Sequence, residues 1–279
     1  MYRRRCSFVI PAYNEARRLP ATLSAIEELS ISNLGKCEII IVDDGSTDST
    51  VEVARSFRSP FCRVRILRVP HRGKGFAIRR GIHLAHGEIV VLCDADLHDS
   101  VHEVVRLEAA LGRGADIAIG SRWLSHLDCL RSQPLYRRVS SRLFNMLAGR
   151  LIELPFKDTQ CGLKALTRRA AKRVFPLLSM NGWGYDIEMI HVALTLGLQV
   201  EEVDLRLIHE YRDSHVRLIA DGWATLWELL KIRRNHLQGA YGAADIGVSA
   251  LDRMAHPAIA LQQMAPPAVS GSGARQDAA

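Results

Sequence analysis

The residues best equipped for chemistry are two aspartates separated by one alanine. Asp94-Ala95-Asp96 closes the apolar run Ile89-Val90-Val91-Leu92-Cys93. Alternate residues of an extended segment point the same way, so both carboxylates converge on one centre. Two hard oxygen donors there suit Mg²⁺ or Mn²⁺ carrying a diphosphate, although a solvated acidic turn has the same Asp-x-Asp spelling. Two more polar groups follow apolar runs: Asp43-Asp44 after 38–42, and Ser121-Arg122 after 115–119. Asp44 is placed to accept hydrogen bonds from a uracil or ribose, or else to cap the next helix. Lys74, between Gly73 and Gly75 at a predicted helix start, brings a cation and backbone N–H groups to where phosphate binds. Its spacing is not that of a P-loop.

These groups need strands that end on one shared edge. Apolar runs at 6–10, 38–42, 64–69, 88–93 and 115–119 alternate with helical patterns. The first helix starts at Asn14 or Glu15 and carries Leu19, Leu23, Ile26 and Leu29 at helical spacing. Others cover 49–57, the stretch through 84 and 101–111. Such alternation predicts an α/β fold with a doubly wound, mainly parallel sheet flanked by helices. In that architecture ligands bind at the carboxyl ends of the strands.

Beyond 122 the alternation breaks. The pattern predicts a helix over 136–151 with a basic edge, a loop over 155–162, a strand at 163–167 and a helix over 168–178. A helix over 186–196 carries Ile187, Ile190 and Leu194 on one face, with His191 half-buried among them. A rim strand at 199–207 precedes a last helix over 221–236. Its stripe of Trp223, Leu226, Trp227 and Leu230 is expected to pack on the sheet, though the tryptophans and basic end also fit an interfacial helix. Residues 239–279, rich in Ala, Gly, Pro and Ser, read as a disordered tail.

The chain has 279 residues, a net charge of +7, 48% hydrophobic and 24% charged residues, ordinary for a globular domain with anionic partners. Six scattered cysteines without a framework point to a reducing cytoplasm. The start Met1-Tyr2-Arg3-Arg4-Arg5 is basic, but the apolar run after it is too short for a signal peptide. No stretch approaches the roughly 20 apolar residues that span a bilayer. Aromatics make up 6% and do not interleave with the basic residues, which disfavours nucleic acid.

Five motifs in order carry a resemblance: Val9-Ile10-Pro11-Ala12-Tyr13-Asn14-Glu15, Val42-Asp43-Asp44-Gly45-Ser46-Thr47-Asp48, Gly73-Lys74-Gly75, Asp94-Ala95-Asp96-Leu97 and Gly120-Ser121-Arg122. Together they resemble the family 2 inverting glycosyltransferases of GT-A fold, over about residues 6–235. Asp158-Thr159-Gln160-Cys161-Gly162-Leu163-Lys164 and Trp183-Gly184-Tyr185-Asp186-Ile187-Glu188 are similar to dolichyl-phosphate β-glucosyltransferases and polyprenyl-phosphate relatives. Mannosyltransferases that use GDP-mannose share much of the pattern.

The resemblance implies a metal-dependent transfer of a hexose, glucose from UDP-glucose foremost, to a polyprenyl or dolichyl phosphate. Residues 1–122 then hold the nucleotide sugar and 123–238 the acceptor. Pro11, Tyr13 and Glu15 line the nucleotide pocket, with Asp43 or Asp44 on base or ribose and Lys74, Asp94 and Ala95 against the nucleotide sugar. Asp94 and Asp96 hold the Mg²⁺ or Mn²⁺, joined by His98 where the family often has a glutamine. Arg122, Arg137, Arg138 and Ser141 grip the acceptor phosphate, while Asp158, Gln160 and Asp186 orient sugar and loop. After the last strand, Tyr211-Arg212-Asp213-Ser214-His215-Val216-Arg217 replaces a Gly-Ser-Lys-like stretch; Ser214 aligns, and Arg212 and Arg217 act as phosphate clamps. Eukaryotic relatives carry an N-terminal membrane anchor that this chain does not begin with, so any peripheral contact with the inner face of the membrane would have to come from the final helix. A soluble hydroxyl or carboxyl acceptor is the rival reading within enzymes, and a nucleotide-sugar-binding protein without turnover the rival outside them.

Overall fold

A computed structural model of the chain describes residues 5–121, 154–205 and 218–242, with side chains in the last segment from 227 onward. Strand β1 (Cys6–Ala12), helix α1 (Leu19–Leu29), β2 (Cys37–Asp43), α2 (Thr50–Ser56), β3 (Cys62–Arg68), α3 (Lys74–Ile82), β4 (Ile89–Cys93), α4 (Val104–Gly112) and β5 (Ile117–Ser121) alternate as expected. Then come β6 (Leu163–Thr167), α5 (Arg168–Val174), α6 (Tyr185–Thr195), β7 (Val200–Asp204) and α7 (Leu218–Leu237). The basic edge predicted over 136–151, Arg122, Arg137, Arg138, Ser141, Arg212 and Ser214 lie outside the described residues.

The sheet runs β3-β2-β1-β4-β6-β5-β7. All neighbours are parallel except β6, which pairs antiparallel with β4 on one side and β5 on the other. Leu92 faces Lys164 and Cys93 faces Leu163 in that register. The reversed strand therefore begins where β4 ends, and the loop leading into it arrives at the edge that carries Asp94.

Strands β1, β2 and β4 are Ile, Val, Leu and Phe runs buried on both faces, as interior parallel strands are. Phe8, Ile10, Ile39, Ile41 and Val91 pack with residues of α1 and α4. Val9, Ile40, Val42, Val90 and Leu92 face the opposite layer of α3, α5, α6 and α7.

The departures have local causes. Helix α1 starts at Leu19, not near Asn14, because 14–18 folds into a turn with Asn14 at φ 57° and Pro20 is accommodated in the helix's first turn. The helix expected through 178 ends at Val174, where Pro176 tightens the chain into a 3₁₀ turn. Helix α6 is buried nearly all round, and His191 is satisfied by the ring of His236, Nε2 to Nδ1 3.0 Å.

Of the stripe expected to pack α7 on the sheet, Trp223 and Leu226 have side chains outside the described residues, and the described half, Trp227 and Leu230, does not pack there. Leu229 and Ile232 are the helix's core residues, while Trp227 and Leu230 turn outward. Helix α7 is apolar on two sides, and the side chosen lets Glu228 reach the loop before α6. Tyr241, in the stretch read as tail, is buried and donates its hydroxyl to Glu188 Oε1 at 2.8 Å.

The contact of α3 with the sheet leaves no room for a methyl group. A Cβ on Gly81 would lie 2.5 Å from Val9 Cγ1 and 2.9 Å from Val42 Cγ2, whereas one on Gly112 of α4 would meet nothing within 4 Å. Alanine at a free helical glycine gains up to about 1 kcal/mol; overpacking a core costs about 1–3 kcal/mol. Urea denaturation is expected to show Gly112→Ala at or above wild-type stability and Gly81→Ala below it.

Candidate active site

The Asp94-Ala95-Asp96 turn is held from beneath. Ala95 is buried and its carbonyl accepts from Thr22 Oγ1 of α1 at 2.7 Å, while Leu97 N–H donates to the Asp94 carbonyl at 3.3 Å. With the middle residue pinned inward, the flanking carboxylates stand at the rim. Asp94 receives Lys74 Nζ at 2.7 Å on Oδ1 and 2.8 Å on Oδ2. Asp96 is more open, its side chain 43% exposed, and lies 3.3 Å from Arg18 Nη1. The same guanidinium donates to both oxygens of Glu15, at 2.6 and 2.7 Å. Burial raises the Glu15 carboxyl from an ordinary 4.5 to about 7, aided by Asp96 and Asp94 and opposed by Arg18.

Lys74 is the cation at the centre. Burial works against its charge, but Asp94, Asp186 and Asp96 outweigh that and hold it above an ordinary lysine. The ring of Trp183 lies 5.0 Å from Nζ and that of Tyr185 5.8 Å, within cation–π reach. The loop that brings these rings packs directly on the Gly73-Lys74-Gly75 stretch. A Cβ on Gly75 would meet Tyr185 Cβ at 2.6 Å and the Met180 carbonyl at 2.7 Å. The glycines beside Lys74 thus admit a neighbouring backbone.

Two carboxylates hold that loop. Glu188, fully buried, accepts from Ser179 N–H, Ser179 Oγ and Met180 N–H at 2.8 to 3.0 Å. Glu228 of α7 accepts from Gly182 N–H at 3.1 Å and Gly184 N–H at 2.7 Å, approaching so closely that a Cβ on either glycine would strike it. Trp183 sits between the two clamped glycines.

A second wall is built from the ends of β1 and β2. Asp43 and Asp44 are both buried. Asp43 accepts from Ser46 N–H at 3.2 Å and from Arg68 Nε at 3.3 Å. Asp44 accepts from Arg72 N–H and Gly73 N–H, each at 2.9 Å, and its Oδ2 lies 2.9 Å from His71 Nδ1. Asp44 therefore shapes the turn into α3 instead of capping α2. His71 stacks on Tyr13, centroids 4.1 Å apart and planes 18° from parallel. Asn14 Oδ1 accepts from Thr47 N–H at 2.8 Å, and Glu15 N–H donates to Thr50 Oγ1 at 2.8 Å, fastening the two turns together.

On the other side, Lys164 and Asp186 form a buried ion pair at 2.6 Å, and Lys164 also donates to the Cys161 carbonyl. Asp158, buried, and Gln160, half-buried, lie in the loop entering β6. That loop is tied to Glu202 of β7 by Asp158 N–H at 2.9 Å and to Asp94 N–H by the Gly162 carbonyl at 3.2 Å. His98 lies on the 3₁₀ turn after the aspartates, with Nε2 3.2 Å from Asp99. Asp94 and Asp96 fit a hard divalent cation that takes its remaining ligands from diphosphate and water. Among the described residues no group of three or more His, Cys, Asp or Glu side chains is assembled to hold one unaided.

Sequence reasoning did not single out Arg18, His71, Lys164, Trp183 or Glu228 for the site. The first two lie within three residues of recognised motifs, and Trp183 and Lys164 lie inside them. Glu228 has no local signal, since only tertiary contact reveals it.

The glycosyl transferase family 2 model matches residues 7–175. A dolichyl-phosphate beta-glucosyltransferase of Dictyostelium discoideum is 35% identical over 250 residues, 84% of this chain and 76% of its own. The protein of that name from Homo sapiens is 32% identical over 252 residues, with the same shares. Among solved structures, the glucosyl-3-phosphoglycerate synthase of Mycobacterium tuberculosis in complex with Mn²⁺ and UDP-glucose matches with a TM-score of 0.56 at 25% identity, over 88% of this chain and 82% of that one.

Two outcomes follow from the charges. Removing one partner of a buried ion pair costs about 3–5 kcal/mol, whereas replacing both by apolar groups is often neutral. Lys164→Met is expected to lose that much in urea unfolding, and Lys164→Met/Asp186→Leu to recover most of it. An acid with a higher pKa folded than unfolded weakens the fold as pH rises between the two values. Wild-type stability should carry such a decline from about 4.5 to about 7, levelling off above; Glu15→Gln should flatten that part of the slope.

Proposed function

The chain belongs to glycosyl transferase family 2, with the GT-A fold, and from that premise we propose that it transfers glucose from UDP-glucose to a polyprenyl phosphate with inversion. The observation that carries the reading is the meeting of Asp94, Asp96 and Lys74 on one strand edge. The named activity of relatives that are 32–35% identical over 84% of the chain supports it.

Residues 1–122 serve the donor and 123–238 the acceptor. The Tyr13–His71 stack and the wall of Asp43, Asp44, Pro11 and Glu15 take the base and ribose. Asp94 and Asp96 hold Mg²⁺ or Mn²⁺, with Ala95 between them. When bound, that cation neutralises the charge that grows on the departing diphosphate. Lys74 adds a second positive charge on the same side, fixed before the reaction begins. His98 is a further donor for the borderline Mn²⁺.

A phosphate acceptor is already anionic at neutral pH, so its oxygen attacks without surrendering a proton to a base. What it needs is alignment. Arg122, Arg137, Arg138, Ser141, Arg212 and Ser214 supply the grip on that phosphate, and Asp158, Gln160 and Asp186 orient the sugar and its loop. The acceptor's polyprenyl chain places the enzyme against the cytoplasmic face of a membrane.

Incubation with UDP-glucose, Mn²⁺ and a short polyprenyl phosphate is expected to yield lipid-linked glucose, detected by mass spectrometry. Asp96→Ala should lower kcat/KM by at least about 100-fold with an unchanged unfolding midpoint, and chelation should abolish transfer until Mn²⁺ is restored. Transfer to a small alcohol but not to the lipid would sink the acceptor reading; full activity after exhaustive chelation would sink the metal.

A further inference from the structure

We infer that the outward face of α7 is a docking surface for an anionic lipid bilayer. The inference rests on a membrane-borne polyprenyl phosphate acceptor for its purpose, but its evidence is separate. Helix α7 is twenty residues long. It buries Leu229 and Ile232 completely against the core, yet Trp227, Leu230 and Leu237 on the other side are 72%, 45% and 76% exposed. With 3.6 residues per turn, positions 227, 230, 234 and 237 fall along one stripe. Single exposed apolar residues are ordinary, but a tryptophan and two leucines aligned on one helix face are a patch that wants a partner.

The chemistry of the stripe selects a bilayer surface. Arg234 lies within it, and Lys231 and Arg233 flank it, all three exposed. Indole prefers the headgroup level, where its ring is in hydrocarbon and its N–H in water. Long basic side chains reach past an apolar stripe to anionic headgroups. The mixture of aromatic, aliphatic and basic groups on a helix lying flat is that of an interfacial helix. Among the described residues no helix is long and apolar enough to cross a membrane.

The same helix reaches the site. Glu228 follows Trp227 directly and holds Gly182 N–H and Gly184 N–H, which set Trp183 beside Lys74. A bilayer seated on α7 thus lies on the element that anchors the catalytic loop, and an acceptor presented from that bilayer arrives beside it.

The test is sedimentation of the full chain with vesicles of phosphatidylcholine alone and of phosphatidylcholine with about 30% phosphatidylglycerol, without donor or acceptor. Wild type is expected to partition onto the anionic vesicles and to leave them as salt rises. Trp227→Ser/Leu230→Ser/Leu237→Ser should weaken partition at least about tenfold, and Lys231→Glu/Arg233→Glu/Arg234→Glu should remove its salt dependence. Both variants should keep the wild-type urea midpoint and transfer to a short, water-soluble polyprenyl phosphate, while losing transfer to a long-chain acceptor held in vesicles. Absence of wild-type partition, or variants that partition as wild type does, overturns the inference. So does a dimer in sedimentation equilibrium that Trp227→Ser dissolves, since the face would then belong to a second copy. If the protein partitions as expected but forms no lipid-linked sugar, the acceptor reading falls and the docking face stands.

Discussion

The ammonium of Lys74 stands 2.7 Å from Asp94 and beside the faces of Trp183 and Tyr185, and much of the surrounding architecture exists to keep it there. Burial by itself lowers the pKa of a lysine. Here Asp94, Asp186 and Asp96 reverse that tendency, so the site keeps a permanent positive charge at the foot of two carboxylates. The pattern repeats around the edge, with Arg18 between Glu15 and Asp96 and Lys164 against Asp186. Each charge in these pairs has its counter-charge in place, which offsets part of the cost of burying it.

Close approach of backbones is the means. The loop bearing Trp183 reaches Lys74 because glycine stands beside the lysine, and it keeps its shape because Glu228 and Glu188 take up its N–H groups. A short Gly-Lys-Gly stretch has two physical readings, a cradle for phosphate or a seat for another loop. In this fold its glycines serve the seat, and the lysine faces the aspartate.

Helix α7 joins two tasks that are usually separate. Its inner side completes the core, Glu228 on its flank restrains the loop that carries Trp183, and its outer side carries an apolar stripe among basic residues. In the proposed reaction a sugar passes from a nucleotide to a lipid, and such a transfer takes place at a boundary. Placing the proposed boundary contact and the loop restraint on one element would tie the two together.

Local order was written into the chain itself. Five apolar runs alternating with helical patterns determined the parallel sheet, because burial on both faces demands such runs and each crossover demands a helix between them. The acidic pair after Cys93 and the acids after Val42 marked the edge on which the candidate site lies, since strand ends share an edge. Periodicity does not carry pairing between distant segments. Tertiary packing alone decided that β6 enters backwards between β4 and β5, that Asp44 shapes the turn into α3, and that Lys164 meets Asp186. It also decided which apolar side of α7 went inward. With Leu229 and Ile232 inward, Glu228 accepts from two N–H groups 46 and 44 positions away, contacts that no local pattern carries.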